Sequence, residues 1–249
     1  MTLDEFFQKQ RKLALGFSGG VDSSYLLVKA IEQKVDIQPY FISTAFQKEA
    51  ELQEAKAIAA ELGAKIQVIE VDILQDEKVA QNPAKRCYHC KQKLFGEIVN
   101  RAKLDGYDVI IDGTNASDDI SDRPGFKALQ ELGILSPLRL CNITKDEVRR
   151  ELQERGFLFW NKPSSSCLAT RIRTDTTITQ AKLSQVEMLE NNLAKLGFNA
   201  FRIRLIDDKT AKIEVREADL GKVVELRKKI IALLEPICSN ICLDLKQTR

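Results

Sequence analysis

No apolar run in this chain is long enough to span a bilayer: charged residues interrupt each one well short of the ~20 residues that a membrane helix needs. The N-terminal stretch, MTLDEFFQKQRK, runs from acidic to basic without the apolar core of a signal peptide, so a cytoplasmic protein without membrane association is expected. Cysteine is scarce, six in 249 residues, which excludes the disulfide scaffold of a small secreted domain. Neither sign of charge is in excess, with 38 Lys and Arg against 36 Asp and Glu and a net charge of +2. That balance argues against broad, salt-driven nucleic-acid binding, while leaving room for a local basic patch. Histidine occurs once, as His89. There is no internal repeat and no low-complexity segment.

What is present is an ordinary globular composition, 44% hydrophobic and 30% charged, at a length that suits one large α/β domain or a main domain with a smaller companion. A short N-terminal helix precedes a strand over 12–17, a helix over 21–31, a strand over 37–43, a helix over 48–62 closed by Gly63, and a strand over 65–71. A helix over 91–104 and a buried strand over 108–112 (DVIID) follow. The helix over 144–155 opens with Thr144 and Glu147 in capping-box spacing. Strands alternating with helices predict βαβ units around a parallel sheet, with ligands at the C-terminal strand ends. After about residue 175 the pattern changes to a helix over 180–196, a hairpin from 200–206 and 210–215, a helix over 222–234 and a last strand over 241–245. The expected division is therefore an α/β domain over 1–174 and a small α+β domain over 175–249.

The most specific motif is Ser18-Gly19-Gly20-Val21-Asp22-Ser23-Ser24, between the first strand and the next helix. Two glycines let the backbone turn and approach an anion, and the helix N-terminus adds aligned N–H groups and positive dipole charge. Ser18, Ser23 and Ser24 can donate hydroxyls to phosphate oxygens, and Asp22 can hold Mg²⁺ or fix the loop. No Gly-Lys-Ser/Thr ending is present, so the loop is not a Walker A motif, and it is not G-x-G-x-x-G either. The plain alternative is a serine-rich helix start after a glycine turn. SGGVDSS resembles the PP-loop of the ATP pyrophosphatases, which have the adenine-nucleotide α-hydrolase-like fold. Those enzymes cleave ATP between the α and β phosphates and activate a carbonyl oxygen as its adenylate. The resemblance implies that the loop ending at Phe46 faces adenine and that Gly113 and Thr114 border the nucleotide.

Cys87 and Cys90, in Cys-Tyr-His-Cys-Lys, have the spacing of metal ligands in a tight turn, and in a reducing cytosol a C-x-x-C pair suggests metal or redox work. A third ligand must come from elsewhere, and Cys167, in the polar loop KPSSSCLATR, is the candidate. Three cysteines without an obvious fourth protein ligand favour an iron–sulfur cluster with one open iron; a zinc knuckle or a redox thiol pair stays open. His89 reads as a fourth ligand, a base or a loop residue. Cys141, Cys238 and Cys242 sit among apolar neighbours and read as small core residues. Arg171 can pair with an acidic substrate group or steady a thiolate. Arg202 and Arg204 alternate on a strand and share a face that could clamp a phosphate, with a solvated strand face as the plainer reading.

Taken together, SGGVDSS, CYHCK, DGTN followed by Asp118, Asp119 and RPGFK, NKPSSSCLATRI, Arg202-Ile-Arg204 and the terminal LDL are similar to the LarE proteins over about residues 10–245. These are ATP-dependent sulfur-insertion enzymes of nickel-pincer nucleotide synthesis. The resemblance implies ATP and Mg²⁺ as cofactors and a small-molecule nucleotide substrate, pyridinium-3,5-biscarboxylic acid mononucleotide, whose carboxylates become thiocarboxylates. It implies substrate contacts at Asp119, Arg123, Arg171, Arg202 and Arg204, and a homo-oligomer. Some members give up the sulfur of one cysteine at the position of Cys167. Others add the C-x-x-C pair, and with Cys87, Cys90 and Cys167 this chain resembles the type expected to hold a [4Fe–4S] cluster fed by sulfide or another sulfur donor. Glu190 matches an acidic, metal-associated position of the family, but Lys222 stands where a partner acid is expected.

Overall fold

The computed structural model describes residues 1–119, 124–163 and 166–246. Its first half runs α1 (Leu3–Lys9), β1 (Lys12–Gly16), α2 (Val21–Glu32), β2 (Asp36–Ser43), α3 (Glu49–Glu61), β3 (Gln67–Glu70), α4 (Glu77–Ala80) and α5 (Arg86–Leu104). Then come β4 (Ile110–Ile111), α6 (Pro124–Glu131), α7 (Pro137–Leu140), α8 (Lys145–Glu154), α9 (Gln180–Ala194), β5 (Phe201–Leu205), β6 (Thr210–Val215), α10 (Leu220–Glu225), α11 (Arg227–Leu234) and β7 (Asn240–Leu243).

Contacts divide the chain into two units. The first comprises residues 1–44, 49–73 and 85–165 and is built on a parallel sheet of order β3-β2-β1-β4. Strand β1 explains the layering. Leu13 and Leu15 point into one core with Phe6, Phe7, Leu26, Ile58 and Val148, while Ala14 between them points into another with Tyr40, Ile98, Ile110 and Leu129. Alternation along one strand thus covers both sheet faces with helices, as a parallel sheet requires. The chain winds outward from β1 through β2 to β3, then returns to β4 on the other side of β1. A crevice therefore opens at the C-terminal ends of β1 and β4, where such sheets bind ligands.

The second unit comprises residues 45–48, 74–84 and 166–249. Its sheet is mixed: β5 and β6 form an antiparallel hairpin and β7 runs parallel to β6. Helix α9 buries Leu183, Val186, Leu189, Glu190 and Leu193, one helical stripe with a carboxylate in it. Residues 166–174, which the change of sequence pattern assigns to the first domain, pack with this unit. Asn82 binds them there: its Nδ2 donates to the carbonyls of Ile172 and Arg173 at 3.3 and 2.8 Å.

Three expectations are corrected. The CYHC segment is not a turn before a helix but the opening turn of α5 itself. The DVIID run yields only a two-residue strand. The single helix expected over 222–234 is broken at Leu226 into α10 and α11.

Candidate active site

The phosphate loop is held by its own serines. Ser18 and Ser23 hydroxyls lie 3.1 Å apart, Gly20 N–H donates to Ser18 Oγ at 3.2 Å, and Ser23 Oγ donates to the Gly20 carbonyl at 3.2 Å. Gly19 has φ +65°, and a Cβ there would lie 2.8 Å from Ala55 of α3, so only glycine fits. Gly20 is the N-cap of α2 and makes no side-chain cap bond, which leaves the first-turn N–H groups open to an anion. Ser24 lies one turn inside, fully buried, with its hydroxyl unpartnered among the described residues.

Asp22 faces the β4 end of the crevice. Asn115 Nδ2 donates to its Oδ1 at 3.2 Å, and Lys145, the first residue of α8, reaches its Oδ2 at 3.0 Å. Lys162 Nζ donates to the Gly19 carbonyl at 3.0 Å and pairs with Glu54 at 2.8 Å. Neither lysine was legible as a site residue, because they join the loop from 123 and 143 residues away. Asp112, at the end of β4, accepts from Ser136 Oγ at 2.6 Å and from Thr114 Oγ1. Gly113 packs on α2 so closely that a Cβ would sit 3.0 Å from Ser23 N.

These elements enclose a cavity of about 640 Å³. Ser18, Gly20, Asp22, Ser23, Asp112, Gly113, Thr114 and Asp118 line one side, and Cys87, Lys91, Phe95 and residues 124–126 the other. Cys87 is exposed and accepts a hydrogen bond from Arg86 Nη2 at 3.6 Å. Cys90 lies one helical turn further on and is half-buried. Tyr88 and Gln92 fix this turn to α6, both donating to Glu131 Oε2, the latter at 2.8 Å. The His89 ring packs edge-on against Tyr88 at 5.3 Å between centroids. Asp119 is exposed; Arg123 lies outside the described residues.

In the second unit, Phe46 is buried and its carbonyl accepts from Leu168 N at 2.8 Å. Cys167 is half-buried and caps the short 3₁₀ turn Leu168–Arg171. Arg171 is buried against Glu190, its Nε 2.8 Å from Oε1, and Lys48 meets the other oxygen at 2.7 Å. Burial pushes the Glu190 carboxyl up, but the hydrogen bonds and charges of Arg171 and Lys48 outweigh it and hold it below the usual carboxylate range. Ile203 N–H also donates to Glu190 Oε1, at 3.2 Å, so both oxygens are taken. Lys222 is elsewhere engaged, on the Gly197 carbonyl at 2.8 Å and over the Phe198 ring. Arg204 is bound to Glu214 at 2.7 Å and to the Thr170 carbonyl at 2.6 Å. Arg202 has no ion pair among the described residues; burial first, then the guanidiniums of Arg171 and Arg204, push its pKa down. An anion would relieve that crowding of positive charge.

The donor chemistry meets a metal cluster only in part. Cys87 and Cys90 present two thiols one turn apart, but among the described residues no three His, Cys, Asp or Glu side chains converge to hold a metal ion. No described helix is long and apolar enough to cross a membrane.

Comparison with known proteins is consistent with this geometry. The model of the queuosine biosynthesis protein QueC family matches residues 12–90. An uncharacterized protein of Synechocystis sp. is 33% identical over 236 residues, 90% of this chain and 87% of that protein. One of Methanocaldococcus jannaschii, also uncharacterized, is 31% identical over 240 residues, covering 96% and 91%. The pyridinium-3,5-bisthiocarboxylic acid mononucleotide synthase of Lactiplantibacillus plantarum is 29% identical over 238 residues, covering 95% and 86%.

Proposed function

Since the chain belongs to the LarE family of PP-loop ATP pyrophosphatases and is an ATP-dependent sulfurtransferase, we propose that it adenylates a carboxylate of pyridinium-3,5-biscarboxylic acid mononucleotide and converts it to a thiocarboxylate. What supports this most is that Cys87 and the phosphate loop line one cavity. A carboxylate oxygen attacks the α-phosphorus of ATP and the α–β bond breaks, releasing pyrophosphate. A sulfur nucleophile at the sulfide level then attacks the acyl carbon; AMP leaves with the electron pair of the C–O bond, giving R–COS⁻, AMP and a proton. Open N–H groups at the start of α2 and the Ser18 and Ser23 hydroxyls would receive the phosphates, Gly113 and Thr114 would border the nucleotide, and Phe46 would back the adenine. Asp22 would hold Mg²⁺, with Lys145 as its neighbouring cation.

On this reading Cys87, Cys90 and Cys167 are the sulfur-handling residues and would hold a [4Fe–4S] cluster. When bound, the cluster supplies an open iron that can carry sulfide. Arg202, beside Arg171 and Arg204, takes the substrate phosphate, with Asp119 and Arg123 assigned to the substrate by family resemblance alone. The reaction belongs in the cytoplasm, where thiols stay reduced.

Two measurements test the proposal. Pyrophosphate release should depend on the dicarboxylate acceptor, and a chain that releases none with any pyridine carboxylate would refute the acceptor assignment. Anaerobically purified protein should contain about four irons per chain and absorb broadly near ~400 nm. Colourless protein that loses the mass of H₂S at Cys167 after turnover would instead make that cysteine the sacrificial donor.

A further inference from the structure

Gly19, the left-handed residue of the phosphate loop at φ +65°, is gripped from two directions. Behind it stands α3, with Ala55 only 2.8 Å from where a Cβ would be. Glu54, the preceding residue of α3, pairs with Lys162 Nζ at 2.8 Å, and the same ammonium donates to the Gly19 carbonyl at 3.0 Å. Lys162 is also held at its backbone. Its N–H donates to the Phe159 carbonyl at 3.1 Å, and its own carbonyl accepts from Arg149 Nη2, on α8, at 3.0 Å. A long, flexible side chain is thus fixed at both ends.

The carbonyl that Lys162 holds belongs to the peptide joining Gly19 to Gly20. That peptide is trans, so its N–H points the opposite way, and Gly20 N donates to Ser18 Oγ at 3.2 Å. Ser18, Gly20 and Ser23 line the cavity. The peptide therefore shows its N–H to the phosphate side and its carbonyl to Lys162. A peptide flanked by two glycines has no Cβ to oppose its rotation by a half-turn. Such a flip would carry Gly20 from φ −81° into the positive range, which glycine tolerates, and would turn the carbonyl dipole toward the phosphates.

We propose that Lys162 is a positioning residue for ATP. It locks the Gly19–Gly20 peptide in the orientation that receives phosphate, without touching phosphate itself, and Glu54 keeps it there. The lock rests on the phosphate-loop reading above and is independent of the acceptor and of the cysteines. It fixes the sign of a Glu54 substitution. A lysine acting as the counter-ion of a phosphate would bind ATP better once Glu54 no longer competed for it. A lysine acting through the Gly19 carbonyl supports ATP binding less well when Glu54 is lost, because its ammonium is then free to leave.

The test compares the full-length wild type with Lys162→Met and Glu54→Gln. The Lys162–Glu54 pair is partly exposed, so both variants should fold and melt within about 3 °C of wild type. The calorimetric Kd of a non-hydrolysable ATP analogue should rise about tenfold in Lys162→Met and about threefold in Glu54→Gln. That of AMP, which lacks the β and γ phosphates, should stay within about twofold. In nucleotide-free protein isotope-labelled at glycine nitrogen, the Gly20 amide should exchange with solvent about tenfold faster in Lys162→Met than in wild type. Tighter binding of the ATP analogue by Glu54→Gln would overturn the lock and make Lys162 a phosphate ligand. Equal losses for AMP and the ATP analogue, or unchanged Gly20 exchange in Lys162→Met, would overturn it as well. Wild type that binds neither nucleotide would remove the phosphate-loop reading, while faster Gly20 exchange in Lys162→Met would still uphold the lock on the peptide.

Discussion

Asp22 and Glu190 are both carboxylates bound by a lysine, yet their substitutions should have opposite consequences. Asp22 and Lys145 are partly exposed, and a pair of that kind is worth about 0–1 kcal/mol. Lys145→Ala should therefore barely move the melting temperature. It removes a cation from beside the expected pyrophosphate path, however, and kcat for pyrophosphate release should fall by about a hundredfold. Glu190 is buried with Arg171, and Gln at this position leaves a buried guanidinium without its anion, a loss of about 3–5 kcal/mol. Thermal denaturation separates the two cases. The pH dependence follows from the same pair: the folded carboxyl is held below the usual range, so its contribution is complete above the ordinary glutamate pKa. Stability is lost as pH falls through that value toward the lower folded one, and Glu190→Gln should flatten the acid limb of a melting-temperature profile. An unchanged acid limb would mean that Glu190 is not charged in the native protein.

The elements were legible where local chemistry announces them and hidden where it does not. Helix α8 begins where Thr144 and Glu147 form a capping box, with Glu147 N donating to Thr144 Oγ1 at 3.3 Å and Thr144 N to Glu147 Oε2 at 2.8 Å. Helix α5 starts after Lys85, which makes no side-chain cap, so nothing in CYHC separated a turn from a helix start. Strand β4 is short because a parallel ladder with β1 spans only Ile110 and Ile111, although the apolar run around it is longer. The phosphate loop itself was readable from its glycines. Its supports were not, since Lys145 and Lys162 are set by topology rather than spacing. Gly19→Ala tests the element directly. A Cβ at φ +65° costs roughly 1–2 kcal/mol before its contact with Ala55 is counted. ATP-analogue binding should be lost while far-UV circular dichroism stays native, and retained binding would show that α3 can yield.

At the scale of the whole molecule, the second unit draws on three stretches of chain. Residues 45–48 supply Lys48, and 74–84 supply Asn82 and Ala80, whose carbonyl accepts from Ile178 N at 2.7 Å. A cut at 174/175, the boundary suggested by the change of pattern, would strand Lys48 and Arg171 without Glu190. Expressed alone, residues 1–174 should be less stable than the full chain and prone to aggregation, and residues 175–249 should lack a cooperative thermal transition. A soluble, cooperatively melting 175–249 fragment would show that the borrowed stretches are dispensable.

That borrowing sets an order for synthesis. Residues 74–84 leave the ribosome some 160 residues before β7 does, which at about 5–20 residues per second is an interval of roughly 8–30 seconds. For that time Val79, fully buried in the finished protein, has no completed core to enter. The nascent chain must carry this stretch exposed until β7 has been made, which makes it the segment a holdase chaperone would have most reason to shield.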